Sequence, residues 1–292
     1  MTAREPGPAS GGPPGEDRSI EERAFAKVNL VLQVGPQRDD GLHEICSLFA
    51  SIDLADRVFI EVAERDEVRC PGVDEPNLAL AALELLRRAL GPERAPPPLA
   101  IHITKRIPVA AGLGGGSADA AAVLRGANAL AGEPLGSLEL RAIAAQLGAD
   151  VPSQVEPAHA LVTGAGEHVE PLALGKGWLV LLPQPVGLST AAVYREADRL
   201  GAIRESLEPF AVRALADAPV EALAGALDND LQVAAISLRP ELEAALEHLS
   251  RAGAIGSAIT GSGPTALGVF SDRAAAERAG RQLEGSIVAA IR

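Results

Sequence analysis

The sequence predicts an α+β fold, because strand patterns and helix patterns are mixed along it without strict βαβ alternation. Its 292 residues suit one large domain or two of ordinary size, and Gly and Pro cluster around residues 165–177, where we place a domain boundary. Apolar residues make up 47% of the chain but aromatic residues only 2%, so a sizeable core must consist of Leu, Val, Ile and Ala.

The elements of the first half follow from the spacing of apolar residues. Short apolar or alternating runs predict strands, and apolar residues at helical spacing predict helices, the first closed by Gly91 and Pro92 and the third by Gly148. The predicted strands are residues 25–34, 46–54, 57–62 and 99–104, with a loop over 35–43, and the predicted helices are residues 77–90, 118–130 and 138–147.

The second half is more helical by the same criteria. Its predicted strands are residues 160–164, 178–182, 254–260 and 266–270, and its predicted helices are residues 190–200, 208–216, 220–227, 230–236, 241–252 and 273–283. Residues 1–20 contain four prolines and four glycines and cannot bury enough apolar surface to fold, so they predict a disordered tail. The predicted domains are residues 21–170 and 171–292.

Charge and composition exclude several classes of function. A net charge of −13 argues against a general nucleic-acid binder, which needs a basic face. The two cysteines are too few for a disulfide framework or a zinc site and indicate thiols in a reducing compartment. The chain holds neither an apolar run of roughly 20 residues nor a stretch typical of a signal peptide, so we expect a cytoplasmic protein without a membrane partner.

A glycine-rich stretch is the strongest local signal. Four of the five residues from Gly112 to Gly116 are glycine, and a strong helix follows, with Ser117 as its predicted N-cap. Unhindered N–H groups that lead into a helix N-terminus form a site for phosphate. The alternative is a flexible connection between a strand and a helix. The predicted nucleotide cradle consists of Pro108, Val109, Ala110, Ala111, Gly112, Leu113, Gly114, Gly115, Gly116, Ser117 and Ala118.

Other phosphate-binding motifs do not fit. The chain has no G-x-x-x-x-G-K-[ST] and none of the H-R-D and D-F-G triplets of protein kinases. Residues 261–266 read G-x-G-x-x-A, but a dinucleotide fingerprint must open a helix, and here a strand pattern follows. We therefore interpret this segment as a second glycine loop that faces the first.

The two glycine loops and the lysine of the first strand together resemble the GHMP kinases, which include galactokinase and the homoserine, mevalonate and phosphomevalonate kinases. Within that family, the A-K-x-N, D-G-x-H and G-A-D-V-P segments resemble the kinases that act on 4-diphosphocytidyl-2-C-methyl-D-erythritol. The matching segments are residues 26–30, 40–44, 108–122, 148–152, 227–231 and 260–265.

The resemblance implies a two-domain GHMP kinase fold with a ribosomal-protein-S5-like N-terminal domain, a ferredoxin-like C-terminal domain and an active site between them. It implies transfer of the γ-phosphate of ATP to the 2-hydroxyl group of 4-diphosphocytidyl-2-C-methyl-D-erythritol, in the non-mevalonate route to isoprenoids. The implied cofactors are ATP and Mg²⁺, although no protein cage for a metal is visible. The implied partner is this small cytidine diphosphate-linked sugar alcohol, and we expect a monomer or a homodimer.

Lys27 and Asp150 resemble the catalytic pair of the family. Phosphoryl transfer needs a group that orients or deprotonates the attacking hydroxyl and a positive charge beside the phosphoryl group. Asp150 fits the first role and Lys27 the second. Without the resemblance, Asp150 would be an ordinary loop or capping aspartate, and Lys27 a solvated lysine on a strand.

Four further residues match substrate-binding positions of the family: Asn29, His43, Tyr194 and Gly263. Asn29 lies on the same side of the first strand as Lys27. His43 resembles the residue that reads the cytosine edge, and Tyr194 one of two aromatic residues that stack on the base. The other aromatic position holds Leu42, which covers an apolar face without stacking.

Asn77 and Lys105 match positions that line the nucleotide pocket. Ser117 is a candidate contact to a phosphate or to magnesium, with a purely capping role as the alternative. Asp119 in the first helical turn is favoured by the helix dipole alone, and we assign no metal ligand.

Two other functions remain open at this stage. One is a different GHMP kinase, of the homoserine or phosphomevalonate type, against which the D-G-x-H segment argues. The other is a nucleotide-binding GHMP protein without activity, against which the presence of both Lys27 and Asp150 argues.

Overall fold

The computed structural model describes residues 19–73 and 78–292, which form two sheets covered by helices. The strands are β1 Ser19–Gln37, β2 His43–Val62, β3 Glu67–Arg69, β4 Leu99–Thr104, β5 His159–Gly164, β6 His168–Leu172, β7 Trp178–Leu182, β8 Asp228–Asn229, β9 Gly256–Ile259, β10 Ala266–Phe270 and β11 Ile287–Ala290.

The helices are interspersed among these strands, and a 3₁₀ turn at Leu215–Asp217 follows the sixth helix. They are α1 Leu78–Leu90, α2 Gly115–Leu130, α3 Ser137–Ala144, α4 Val151–Gln154, α5 Thr190–Leu200, α6 Pro209–Ala214, α7 Val220–Gly225, α8 Gln232–Leu238, α9 Glu241–Arg251 and α10 Arg273–Gln282. In the described part of the chain, no helix is long and apolar enough to cross a membrane.

The first sheet has seven strands in the order β3-β4-β2-β1-β8, and β5 joins it by pairing with β2 and with β6. The second sheet has the order β11-β7-β10-β9 and is antiparallel throughout. Counted within that sheet, the order is fourth, first, third, second strand, with α9 and α10 packed against it. The expected ferredoxin-like arrangement of the second half is therefore present, and the α+β class is confirmed.

Among the described residues, three large cores hold these layers together, and a small fourth cluster consists of Phe49, Ala160 and Val162. One lies between the first sheet and α1, α2 and α3, and another between the second sheet and α5, α8, α9 and α10. The third lies between the two sheets and includes Leu30, Leu48, Leu181 and Leu267. Alanines let α2 approach the sheet closely, and a methyl group on its Gly126 would come within 2.5 Å of Ile60. The aliphatic core expected from composition is observed.

Several predicted boundaries are wrong, each because of tertiary pairing. The first strand extends six residues earlier and three later than predicted because polar residues near Ser19 pair with β2. Ser19 and Ile20 thus belong to β1, and the rest of the predicted tail, residues 1–18, lies outside the described residues. The two strands predicted between residues 46 and 62 are one strand. The sequence patterns missed β3, β6, β8, β11 and the short helix α4.

The chain changes sheets between Leu172 and Trp178, within the stretch where we placed the boundary. The division is not complete, because β8 from the second half pairs with β1 in the first sheet. The assignment of residues 21–170 and 171–292 to separate domains stays a prediction.

Candidate active site

A cleft of about 700 Å³ opens between the two halves of the molecule. Its walls come from β1, β2, the start of α2, the loop before α4, α5 and the second glycine loop. Among the described residues that line it are the predicted site residues Lys27, Asn29, His43, Gly112, Gly114, Ser117, Asp150 and Tyr194.

Lys27 and Asp150 form an ion pair in this cleft, with 3.3 Å between Nζ and Oδ2. The Lys27 side chain is only 5% exposed, whereas that of Asp150 is 35% exposed. Asp150 precedes α4, whose first turn contains Pro152, and this placement turns the carboxylate toward the cleft. The pair expected from the resemblance is therefore assembled, with one carboxylate that a ligand can reach.

Protein groups hold Lys27 in position. Its backbone N–H donates to the carbonyl of Leu113 over 3.1 Å, which joins β1 to the first glycine loop. Its Nζ donates to Oδ1 of Asn29 over 2.9 Å and lies 4.5 Å from the centre of the Phe49 ring. These contacts stabilise the buried charge and aim it at Asp150.

Asn29, a predicted substrate contact, lines the cleft and makes hydrogen bonds to protein groups. Its Oδ1 accepts from Lys27, and its Nδ2 donates to Oγ of Ser47 over 2.8 Å. Its backbone N–H donates to Oγ1 of Thr260 over 2.8 Å. Both ends of the carboxamide thus have a protein partner, and Asn29 holds Nζ of Lys27 in position, while its contact to a substrate stays a prediction.

The first glycine loop lines a second pocket, of about 320 Å³, beside the cleft. Gly112 and Gly114 adopt φ angles of 75° and 70°, in the left-handed region that favours glycine. The N-terminus of α2 follows directly, so backbone N–H groups and the helix dipole favour an anion here. Ten predicted cradle residues, residues 108–117, line this pocket together with Lys105.

One prediction about the loop is wrong, and one predicted cradle residue lies in the core. The N-cap of α2 is Gly114 and not Ser117, because the left-handed φ of Gly114 lets the helix begin at Gly115. Ser117 therefore lies inside the first turn, where it lines both the cleft and the smaller pocket. Ala118 is buried in the core, and its N–H donates to the carbonyl of Gly114 over 2.8 Å, so it is not available to a ligand.

Lys105 belongs to a buried charge cluster at the rim of this pocket. Its Nζ lies 2.5 Å from Oδ2 of Asp56 and 2.7 Å from Oδ2 of Asp119. Burial raises the pKa of Asp119 to about 7, against the opposing charge of Lys105. Burial acts to lower the pKa of Lys105, but the charges and hydrogen bonds of Asp119 and Asp56 raise it overall. Asn77, the other predicted nucleotide contact, lies outside the described residues.

The second glycine loop packs against the first, as expected. A methyl group on Gly112 would lie 2.5 Å from the carbonyl oxygen of Gly263, and Thr265 donates to the carbonyl of Ala111 over 2.7 Å. Asn229 holds this loop by donating to the carbonyls of Ile259 and Gly261 over 2.7 and 2.8 Å. The loop leads into β10, which confirms that it is not a dinucleotide fingerprint.

Gly263, a predicted substrate contact, is not among the described residues that line the cleft. Among the described residues that line the cleft, this loop is represented by Gly261 and Ser262. Gly263 is buried, and a methyl group added to it would lie 3.3 Å from Ile259 and 3.4 Å from Leu188. Its φ of 82° favours glycine, and its role toward a substrate stays a prediction.

His43 and Tyr194 meet at the far side of the cleft, with 5.3 Å between ring centres. His43 is buried and Tyr194 half-buried, and burial raises the pKa of the Tyr194 phenol, with a smaller contribution from the charge of Asp150. Leu42 also lines the cleft and is 53% exposed. Tyr194, at one predicted aromatic position, and Leu42, at the position where the family has the other aromatic residue, thus border this end.

The patterns in the sequence did not identify three residues of the site. Phe49 and Asp56 are single buried side chains on β2 without a motif of their own. Asp198 lines the cleft one helical turn after Tyr194, and this spacing of four residues was the only available signal. No group of three or more metal-ligating side chains occurs within residues 19–73 and 78–292.

Comparisons with known proteins agree with this geometry. The family model for the GHMP kinases N terminal domain matches residues 77–156, and the model for GHMP kinases C terminal matches residues 211–287. Together they cover more than half of the chain.

Curated relatives extend the likeness over most of the chain. A 4-diphosphocytidyl-2-C-methyl-D-erythritol kinase from Kineococcus radiotolerans is 40% identical over 96% of this chain and 90% of its own length. An enzyme of the same name from Symbiobacterium thermophilum is 42% identical over 91% of this chain and 94% of its own length.

Solved structures show the same fold. A crystal structure of a 4-(cytidine 5′-diphospho)-2C-methyl-D-erythritol kinase is 35% identical and has a TM-score of 0.78, over 93% of this chain and 98% of its own. A homoserine kinase from Cytophaga hutchinsonii, 19% identical with a TM-score of 0.63 over 95% of this chain and 96% of its own, shares the fold alone. On this site, this fold and these likenesses, the chain belongs to the GHMP kinases, in the family of the 4-diphosphocytidyl-2-C-methyl-D-erythritol kinases.

Proposed function

We propose that this protein transfers the γ-phosphoryl group of ATP to the 2-hydroxyl group of 4-diphosphocytidyl-2-C-methyl-D-erythritol, a reaction of the non-mevalonate route to isoprenoids. The observation that carries the proposal is the position of the Lys27–Asp150 pair. The cleft that holds this pair and the pocket of the first glycine loop share Gly112, Gly114 and Ser117. A nucleotide on the loop and an alcohol in the cleft would therefore meet beside the pair.

Asp150 is suited to accept the proton of the attacking hydroxyl group, because its side chain is the more exposed member of the pair. Lys27, whose Nζ lies 3.3 Å from Oδ2 of Asp150, is suited to stabilise negative charge on the transferring group. Backbone N–H groups at the start of α2 hold the phosphates, which keeps the two reactants in line.

The residues present fit ATP and are compatible with Mg²⁺. Magnesium usually keeps several waters and binds through one or two carboxylates and the substrate phosphates, so it needs no group of three protein ligands. The carboxylate of Asp150 and the hydroxyl of Ser117 both line the cleft where the γ-phosphate would lie. The ion would supply charge neutralisation on the phosphates when it is bound.

We also propose that the protein works in the cytoplasm, as a monomer or a homodimer, on this small substrate and without nucleic acid. The net charge of −13 supports the last point, because a nucleic-acid surface attracts basic proteins.

Replacement of Asp150 by Asn tests the proposed role of the carboxylate. The amide keeps the size of the side chain but is not a base, so kcat should fall by about 100-fold or more, while the affinity for a non-hydrolysable ATP analogue should stay within about threefold. The control is Asp217→Asn, which removes one negative charge from an exposed position in the 3₁₀ turn. An Asp150→Asn enzyme with a kcat near that of the wild type would exclude Asp150 as the base.

A panel of acceptors tests the substrate. The wild type should phosphorylate the cytidylyl alcohol and not homoserine or mevalonate esters. Phosphorylation of homoserine or of a mevalonate ester, but not of the cytidylyl alcohol, would assign the protein to another GHMP activity. ATP binding without turnover of any acceptor would favour an inactive nucleotide-binding protein.

A further inference from the structure

Asp198 is a residue of the cleft that has no part in the proposed chemistry. It lies on α5, one turn after Tyr194, and its Oδ2 is 3.4 Å from Nε2 of His43. The His43 side chain is 5% exposed and that of Asp198 is 47% exposed. The carboxylate therefore borders open space at the point where the buried imidazole reaches the cleft.

The hydrogen bond on the other side of His43 decides what its Nε2 can do. Nδ1 lies 2.9 Å from the carbonyl oxygen of Gly35. A carbonyl oxygen only accepts hydrogen bonds, so Nδ1 carries a hydrogen. In the neutral ring Nε2 is then an acceptor, and the neighbouring carboxylate oxygen is an acceptor as well. Two acceptors side by side form a site for a ligand group that donates two hydrogens.

The shape of the cleft indicates which end of the substrate lies here. The reacting hydroxyl group must lie at Asp150, and the base is at the opposite end of the substrate, beyond the diphosphate. Tyr194 lines the same cleft as Asp150, and its ring packs on that of His43. The half-buried ring of Tyr194 and the exposed Leu42 offer faces on which a flat base can rest.

We propose that Asp198 determines selectivity for cytosine by sharing its exocyclic 4-amino group with His43. One N–H of the amino group donates to Nε2 of His43 and the other to Oδ2 of Asp198. Uracil carries a carbonyl oxygen at this place, which would face two acceptors and is rejected. The proposal rests on the proposed function, because that function puts a cytidine in the cleft.

A hydrogen bond from His43 to Asp198 would lead to a different pattern of ligand affinities. If His43 is the imidazolium, its Nε2–H donates to Asp198 and the two form a simple ion pair. Asp198 then only orients His43, and its removal should weaken cytidine and uridine ligands by the same factor. The selectivity between the two bases separates the two arrangements.

The experiment measures dissociation constants of cytidine diphosphate and uridine diphosphate by calorimetry for the wild type, Asp198→Ala and Asp198→Asn. The wild type should bind cytidine diphosphate at least about tenfold more tightly than uridine diphosphate, the factor expected from one hydrogen bond to a charged group. Asp198→Ala should lose most of this ratio through weaker binding of cytidine diphosphate alone. Asp198→Asn should lie between the two, because its amide can donate to Nε2.

Asp217→Asn is the matched control and should keep the wild-type ratio. An unchanged ratio in Asp198→Ala, or a wild type that does not distinguish the two diphosphates, would overturn the proposal. Turnover of the cytidylyl alcohol by the wild type is measured in parallel. Selective binding through Asp198 without turnover would reject the proposed kinase activity and leave the recognition of cytosine in place.

Discussion

The carboxamide of Asn29 has protein partners at both ends, Lys27 on its oxygen and Ser47 on its nitrogen. The sequence placed Asn29 on the correct side of β1, since residues two apart share a face. It did not show that Ser47 on β2 would take the nitrogen, because the pairing of Leu32 with Ser47 is a matter of register between strands. The residue thus holds Lys27 in position.

Replacement of Asn29 by Ala should therefore affect catalysis and stability together. Lys27 would lose an acceptor and Ser47 a donor inside the protein, which should cost about 1–3 kcal/mol of unfolding free energy. The kcat should fall because Nζ is no longer held toward Asp150, while the KM for ATP should change little. Steady-state kinetics and urea unfolding measure the two effects.

Asn128→Ala is the matched control for this variant. Asn128 is also buried, and its side chain makes two hydrogen bonds to the backbone of Leu135, on α2 but away from the cleft. It should lose stability without a loss of kcat. If Asn29→Ala behaves in the same way, the positioning role of Asn29 is wrong.

At the scale of elements, β2 shows why an apparent break in a pattern can be part of the site. We predicted two strands, residues 46–54 and 57–62, and Asp56 lies in the gap between them. In the fold Asp56 is fully buried and accepts hydrogen bonds from the backbone N–H groups of Arg106 and Ile107 and from Lys105. A buried aspartate is stable here because three donors surround it, and they come from a loop some fifty residues later.

The conformation of the first glycine loop predicts how a substitution in it changes stability and ATP binding. Gly112→Ala should destabilise the protein by about 1–3 kcal/mol and weaken ATP binding, because φ is 75° and a methyl group would meet the carbonyl oxygen of Gly263 at 2.5 Å. The measurement is urea unfolding without ligand, followed by titration with an ATP analogue.

Gly116→Ala is the stability control on the same element. Gly116 lies in the first turn of α2, and the nearest atom to an added methyl group would be 3.9 Å away on Leu78. Alanine is favoured over glycine in a helix, so this variant should be as stable as the wild type or more stable by up to about 1 kcal/mol. Equal destabilisation of both variants would show that the contact with Gly263 is unimportant.

At the scale of the whole molecule, the two sheets also meet at the end of the chain. The backbone N–H of Ala290 on β11 donates to Asp53 on β2 over 2.8 Å. His159 on β5 joins the same edge, since its Nδ1 accepts from the N–H of Ser51 over 3.1 Å and its Nε2–H donates to the carbonyl of Arg292 over 2.7 Å. Both ring nitrogens are occupied, which fixes the neutral tautomer.

This contact predicts a pH dependence of stability. Burial lowers the pKa of His159 below its usual value of 6.5, so the unfolded chain takes up a proton at this residue before the folded protein does. The contribution of His159 to stability is complete above pH 6.5 and is lost as the pH falls toward the lower, folded-state pKa. Unfolding free energies measured between pH 7 and pH 5 should therefore fall less for His159→Gln than for the wild type.

His168→Gln is the control for this measurement, because His168 is exposed on the neighbouring strand β6. It should keep the wild-type dependence on pH. If the unfolding free energy of His159→Gln falls with pH as steeply as that of the wild type, other groups cause the pH dependence.

The sequence by itself determined the α+β class, most helices, the two glycine loops and, through the resemblance, the pair Lys27 and Asp150. These features depend on local patterns, such as apolar spacing and glycine next to a helix start, which the order of residues contains directly. Only the tertiary structure decided that Asn29 serves Lys27, that Gly263 and Ala118 are buried, and that Asp56 and Asp198 stand beside the two pockets. Those roles depend on which strands and loops come together over distances of up to 231 residues along the chain, as between Asn29 and Thr260. Such pairings are set by the burial of all three cores at once, and no single segment carries them.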